Sequence, residues 1–217
     1  MSRSVYSVVL SDEVVAAVDR LAAGEGVSRS RMIERILAQQ TGCETPARRA
    51  KDVFGCLERM ASDAAGLRLL LGGSGGLIQL RGAVRYRYNP TVRYTLELYQ
   101  HPTDAVGELR VTLRSQSRPL LEEMDRFFRL WTHLEERSFT DGAFLSYDLA
   151  EGRFSRRLRS PKGASGEALG AAIAGYIRLM DAVMQSYFDA LPTGQRAAAQ
   201  AAASGFSAAL TAEVAAL

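Results

Sequence analysis

Few residues in this chain stand at spacings that covalent chemistry needs. Gly72-Gly73-Ser74-Gly75-Gly76 reproduces the G-x-S-x-G pattern of a hydrolase nucleophile elbow, in which a sharp strand-to-helix turn exposes the serine. A β-type run, Leu77-Ile78-Gln79-Leu80, follows it where a helix is required, and neither His101 nor His133 is tied to Ser74 as a base. The pentapeptide reads as a flexible break. The same two histidines with Cys43 and Cys56 are too scattered for a transition-metal site, which wants several His or Cys ligands at workable spacing. The cysteines lack a C-x-x-C spacing and read as reduced thiols. No catalytic residue, metal or cofactor is expected, and the chain is not expected to be an enzyme.

Arginine is the more informative residue type. Between positions 77 and 118 stand Arg81, Arg85, Arg87, Arg93, Arg110, Arg114 and Arg118 against Glu97, Asp104 and Glu108, a surplus of four positive charges. Positions 143 to 163 add Arg153, Arg156, Arg157, Arg159 and Lys162 against Asp148 and Glu151, a surplus of three. Alternation puts many of these on one face of a sheet. The plain reading is a solvated face. The sharper one is an anion surface for nucleic-acid backbone or an acidic partner, with Arg85, Arg87, Arg93, Arg110 and Arg114 as its candidates and Tyr86, Tyr88 or Tyr99 available to stack.

The elements that must position such groups begin at the N-terminus. Ser4 to Leu10 is a β-branched and aromatic run that stops at Ser11-Asp12-Glu13, a helix N-cap with acids in the first turn. Val14, Val15, Val18, Leu21 and Ala22 then recur at helical spacing until Gly24 and Gly26. Ser28 opens a second helix with Met32, Ile33, Ile36 and Leu37 inward, ending near Gly42. One strand and two short helices bury too little apolar surface to stand alone, and a lone strand leaves both edges unpaired, so two copies must pair.

On Ser7 to Val15, Val18 to Ala22 and Gly26 to Leu37 this segment resembles the ribbon-helix-helix family of DNA-binding proteins, the Arc, MetJ and CopG type. The resemblance covers roughly residues 2–42. It implies a homodimer whose paired strands form a ribbon that enters the DNA major groove, a role in transcription regulation, and double-stranded DNA as partner. Period-two alternation turns Tyr6, Val8 and Leu10 inward and Val5, Ser7 and Val9 toward DNA. That outward face departs from the family's usual Arg, Lys, Asn, Gln or Thr, because only Ser7 can hydrogen-bond a base edge. Readout is therefore expected to lean on Arg3 and the flanks. Gly26 and Ser28 ahead of the second helix offer backbone N–H groups and a hydroxyl to a phosphate, with Arg29, Ser30 and Arg31 beside them. The alternative is a protein-interaction platform that uses this unit only to dimerise.

Net charge is +3 overall, yet the first 42 residues carry five arginines and five acids and are neutral. A strongly basic footprint is absent there. No charged-then-apolar leader opens the chain and no apolar run reaches membrane length, so a cytoplasmic protein that avoids the membrane is expected.

Length suits a small first module plus a larger domain. The expected division is 1–42 for the strand-helix-helix unit, 43–66 for a linker helix opened by Thr45-Pro46, 67–191 for an α+β domain, and 192–217 for an Ala-rich C-terminal helix, loosely docked or frayed. In the α+β domain, Leu67 to Leu71 fits strand or helix. Leu77–Leu80, Val84–Tyr88, Val92–Tyr99 and Leu109–Leu113 read as strands, followed by a helix over Pro119–Arg137. A second hairpin spans Ala143–Leu149 and Arg153–Arg159, and another helix runs from Ser165 to about Leu191. The expectation is an antiparallel sheet with helices on one face, compatible with two ββα units side by side. This domain would serve oligomerisation, including assembly beyond the dimer, or sensing of a protein or small-molecule effector.

Overall fold

The computed structural model describes residues 5–63, 66–74, 76–100, 102, 104–138, 145–161 and 163–217. Asp12 and Glu13 place negative charge at the positive end of the first helix, α1 (Asp12–Gly24). Gly26, at φ 62°, reverses the chain, and the Ser28 hydroxyl accepts from Arg31 N at 3.4 Å to start α2 (Arg29–Thr41). Gly42, at φ 69°, ends that helix in the left-handed conformation that glycine takes without a Cβ penalty. Only Val18, Ala22 and Met32 are buried between the two helices.

Thr45 then caps α3 (Pro46–Asp63), its hydroxyl accepting from Arg48 N at 3.2 Å. This helix, expected as a connector, is packed into the large core: Val53, Phe54, Leu57 and Met60 belong to the same buried cluster as the sheet. Its partner is α5 (Gly166–Ala190), approached so closely that a Cβ on Gly170 would stand 2.8 Å from Val53 Cα. Small residues on one helix allow that backbone approach.

Six antiparallel strands form one sheet in the order β1-β2-β3-β4-β6-β5. They are β1 (Arg68–Ser74), β2 (Leu77–Ala83), β3 (Thr91–Leu98), β4 (Gly107–Leu113), β5 (Tyr147–Ala150) and β6 (Arg153–Leu158). The alternation in the sequence is realised. Val92, Tyr94, Leu96 and Leu98 of β3 and Leu109, Val111 and Leu113 of β4 are buried beneath α4 (Arg118–Ser138) and α5. Trp131 of α4 donates to the Tyr176 hydroxyl at 2.8 Å and packs edge-on to Tyr176 and Phe206. The α+β class with an antiparallel sheet is thus the observed one. The order strand pair, helix, strand pair, helix holds for β3-β4-α4-β5-β6-α5, with β4 beside β6, and β1 and β2 extend the sheet beyond it.

Several local expectations change. The ambiguous run at 67–71 lies mainly in the edge strand β1, whose register shifts between Leu69 and Leu71 and again before Ser74. Gly72, Gly73 and Ser74, expected as part of a flexible break, belong to β1, and Ser74 pairs with Leu77 of the next strand, so no strand-to-helix elbow follows; Gly75 lies outside the described residues. Val84 to Tyr88 is not a strand: β2 stops at Ala83, Val84 N donates to Pro90 O at 2.9 Å, and Tyr88 and Asn89 take φ of 64° and 45°. Val84 is buried and Tyr86 meets Phe188 edge-on, so the apolar alternation there serves a packed reversal. The C-terminal segment is docked. In α6 (Gln195–Ala209) Ala198, Ala202 and Phe206 are buried, and beyond it α7 (Ala212–Ala215) and Leu217 follow, with Val214 and Leu217 also buried. Arg156, counted among solvent arginines by composition, is turned inward by the register of β6, lies over the Tyr176 ring at 4.7 Å and pairs with Glu135 at 3.5 Å. Burial pushes the Glu135 carboxyl up from its ordinary value, against the pull of Arg156.

Candidate nucleic-acid interface

Residues 5–10 carry strand-forming side chains but pair with no other described residue of the chain. Val5 and Val9 are fully exposed, whereas Tyr6, Val8 and Leu10 are exposed by 84%, 69% and 39%. All six residues are exposed in the single chain, Leu10 the least among the apolar ones, where the segment runs into the helices. There Val14, Leu21 and Leu37 are also left open. The strand expected over Ser4 to Leu10 is not formed among residues 5–10 of the single chain, and an apolar segment with unpaired backbone beside an apolar helical surface is an incomplete fold.

Electrostatics close this unit rather than charge it. Arg29 donates through Nε and Nη2 to both carboxylate oxygens of Asp19, each at 2.6 Å. That bidentate bond, opposed by partial desolvation, holds the Asp19 carboxyl below its usual range. Arg35 donates a single bond through Nη2 to Glu25 Oε1 and lowers that carboxyl too. Of the residues expected at the phosphate dock, Gly26, Ser28, Ser30 and Arg31 lie together and exposed at the α2 N-terminus, and Arg29 is engaged by Asp19. Val5, Ser7 and Val9 are exposed as expected, and Arg3 lies outside the described residues.

The candidate anion surface is rearranged. Arg93 and Arg110 do share the sheet face opposite the helices, and exposed Arg114 follows β4 on the same alternation. Arg85 lies past the end of β2, bound to Asp189 at 2.7 Å, and Arg87 sits in the reversal. Cross-strand pairing instead lines up Arg68 with Arg81, Arg81 with Arg93, Arg93 with Thr112, and Thr112 with Arg153. Arg68 went unnoticed in the sequence because its strand was unassigned. Two other rows cross the same face. One runs Gln79, Thr95, Arg110, Ser155 and Asp148, and the other runs Leu77, Glu97, Glu108 and Arg157. Arg110 binds Glu108 at 2.8 Å and Arg153 binds Asp148 at 3.0 Å. Of the tyrosines, Tyr86 is taken up by Phe188 and Tyr88 is fully exposed. Tyr99 is half-buried, its hydroxyl pushed up by burial and by Glu108.

No group of three or more His, Cys, Asp or Glu is placed to hold a metal among the described residues. Cys43 is exposed and Cys56 buried, both free. His133 is exposed on α4, and His101 lies outside the described residues. The larger domain has an open cleft of about 730 Å³ where α3 begins, in which Arg49 binds Glu44 at 2.6 Å and Glu44 also accepts from Gly166 N. No helix among the described residues is long and apolar enough to cross a membrane.

Residues 7–41 match the family described as ribbon-helix-helix protein, copG family. The match is confined to the N-terminal segment, covering α1 and α2, and ends before α3 and the sheet begin. No curated protein and no solved structure matches the chain.

Proposed function

We propose that the protein is a homodimeric DNA-binding protein that acts as a transcriptional regulator. The carrying observation is the apolar segment at 5–10, which forms no strand in the single chain and stands exposed and unpaired at the head of two helices whose own apolar side chains remain open. Pairing with a second copy supplies the missing hydrogen bonds and covers Tyr6, Val8 and Leu10. It leaves Val5, Ser7 and Val9 as the outer face of a two-stranded ribbon of the kind that enters a major groove. Ser7 supplies the hydrogen bond and the two valines supply contact to thymine methyl groups. Gly26, Ser28, Ser30 and Arg31 hold the flanking phosphate at a helix N-terminus. No catalytic step belongs to this reading, which places the protein in the cytoplasm. The sheet domain serves oligomerisation or the sensing of an effector.

Binding to random-sequence duplex across a salt series tests the reading, because phosphate contacts are strongest at low salt. Absence of binding at the lowest salt refutes it. The valine-rich outer face and the engagement of Arg29 by Asp19 favour a second reading, a dimeric platform for protein interaction that does not bind DNA. Replacing Val5, Ser7 and Val9 together by alanine separates the two: the regulator loses DNA binding and stays dimeric, while the platform keeps its partner interaction.

A further inference from the structure

The open face of the sheet is charged unevenly. Arg68, Arg81 and Arg93 occupy directly opposed positions on three adjacent strands, and the line continues through the Thr112 hydroxyl to Arg153. Adjacent strands lie about 4.8 Å apart, so the stretch from Arg68 to Thr112 is about 14 Å long. Like charges directly opposite one another weaken a sheet. A face built only for solvation would place a carboxylate between them, as Asp148 stands to Arg153 and Glu108 to Arg110. Among the described residues none of Arg68, Arg81 and Arg93 has a carboxylate within ion-pair reach. Of the acids of this face, Asp148 is bound to Arg153 beyond the end of the row, and Glu97 and Glu108 are four residues further along their strands, about 13 Å from the row at the rise of an extended chain. Exposed Arg114 and the exposed reversal residue Arg87 lie toward the arginine end instead. One end of the face is therefore strongly positive, and the other is balanced.

Resting on the DNA-binding reading, we infer that the row Arg68, Arg81, Arg93 and Thr112 is a second contact surface for the phosphate backbone of duplex DNA. Duplex carries about one negative charge per 1.7 Å of axis, so a row about 14 Å long faces roughly eight. The chemistry of the face selects this partner over an acidic protein. Strands β3, β4 and β6 present no apolar side chain on this side, and the leucines of the face, Leu71 and Leu77, stand opposite Gln79 and Glu97 and not in the arginine row, whereas protein interfaces centre on aromatic and aliphatic anchors. Arginine and threonine on a rigid sheet make contacts that position without reading sequence. This also accounts for the neutrality of the N-terminal unit: the ribbon supplies the groove contact, and the sheet supplies the charge.

The test measures binding of the full-length protein to random duplex by fluorescence anisotropy over a salt series. It compares the wild type with R68Q/R81Q/R93Q, with the same three positions as lysine, and with R129Q/R178Q/R196Q, which removes three exposed arginines from the helical side. Circular dichroism and molar mass verify that each variant is folded and dimeric. The row variant is expected to lose slope in log Kd against log salt by about 0.9 per contact, or about 3 for one engaged protomer. The lysine variant retains the wild-type slope, and the helical-side variant retains it too. No wild-type binding at low salt refutes the DNA reading itself. Wild-type binding with an unchanged slope in the row variant overturns the sheet contact alone. Equal loss in the helical-side variant also overturns it, by reducing the effect to net charge. Polyglutamate that binds through the row while DNA binding ignores it assigns the surface to an acidic protein and overturns the proposal.

Discussion

Substituting one inward residue of the N-terminal strand, V8D, should dissolve the dimer, while the neighbouring V9D should leave it intact. Tyr6, Val8 and Leu10 retain 84%, 69% and 39% exposure in the single chain. At about 2 kcal/mol for full transfer of such a side chain from water, covering what remains open is worth roughly 4 kcal/mol per protomer and roughly 8 kcal/mol for the pair. Val14, Leu21 and Leu37 add to it, against an association cost of similar size. Losing the Val8 share in both strands removes about 3 kcal/mol, a factor of about 100 in Kd, before the cost of burying two carboxylates without partners. Val9 is fully exposed and on the opposite alternation, so aspartate there stays in water. Sedimentation equilibrium of both variants at about 1 to 100 μM, a range centred on about −7 kcal/mol, reads the difference directly. Equal weakening by the two variants would refute the alternation argument, and a wild type that is monomeric throughout that range would refute the ribbon.

D19N should strengthen DNA binding a few-fold at low salt by releasing Arg29 from its bidentate bond, as anisotropy would read. Because Arg29 holds the Asp19 carboxyl below its usual value of 3.8, the same release in the wild type is expected only as pH falls through that depressed value, and not above it. G170A should lower Tm by roughly 3 to 10 °C, since its Cβ would meet Val53 Cα and overpacking of this sort costs about 1 to 3 kcal/mol. A thermal melt indistinguishable from wild type would mean that α3 is not held against α5. E135Q should cost about 3 to 5 kcal/mol in denaturant unfolding, because it removes the carboxylate charge paired with the buried Arg156 guanidinium, whereas E135L/R156M should recover most of the loss.

What was legible in the sequence followed from periodicity and local chemistry. The alternation in Thr91 to Leu98 and Gly107 to Leu113 fixes which side chains enter the core, and the stripe on Arg118 to Ser138 fixes which face of the helix lies over them. Ser28, Thr45 and Ser165 mark helix starts because each hydroxyl accepts a backbone N–H there. What alternation cannot supply is whether an apolar rhythm belongs to a strand or to a packed turn. Val84, Tyr86 and Tyr88 keep the spacing of a strand, yet Val84 enters the core at a reversal and Tyr88 turns out of it at positive φ.

The arginine row is the sharpest instance of this limit, because it depends on register and not on composition. Counting charges found the surplus on these strands but grouped Arg85 and Arg87 with Arg93, and counted Arg156 as a surface charge. Pairing places Arg81 opposite both Arg68 and Arg93 and sends Arg156 inward to Glu135. A shift of one residue in β2 against β3 would exchange the faces of every side chain on it, putting Ile78 and Leu80 into water and Arg81 into the core. The buried Ile78 and Leu80 therefore lock the register that aligns the arginines. The apolar face is thus what holds three like charges side by side, and the surface that carries the proposed DNA contact is positioned by residues that never touch it.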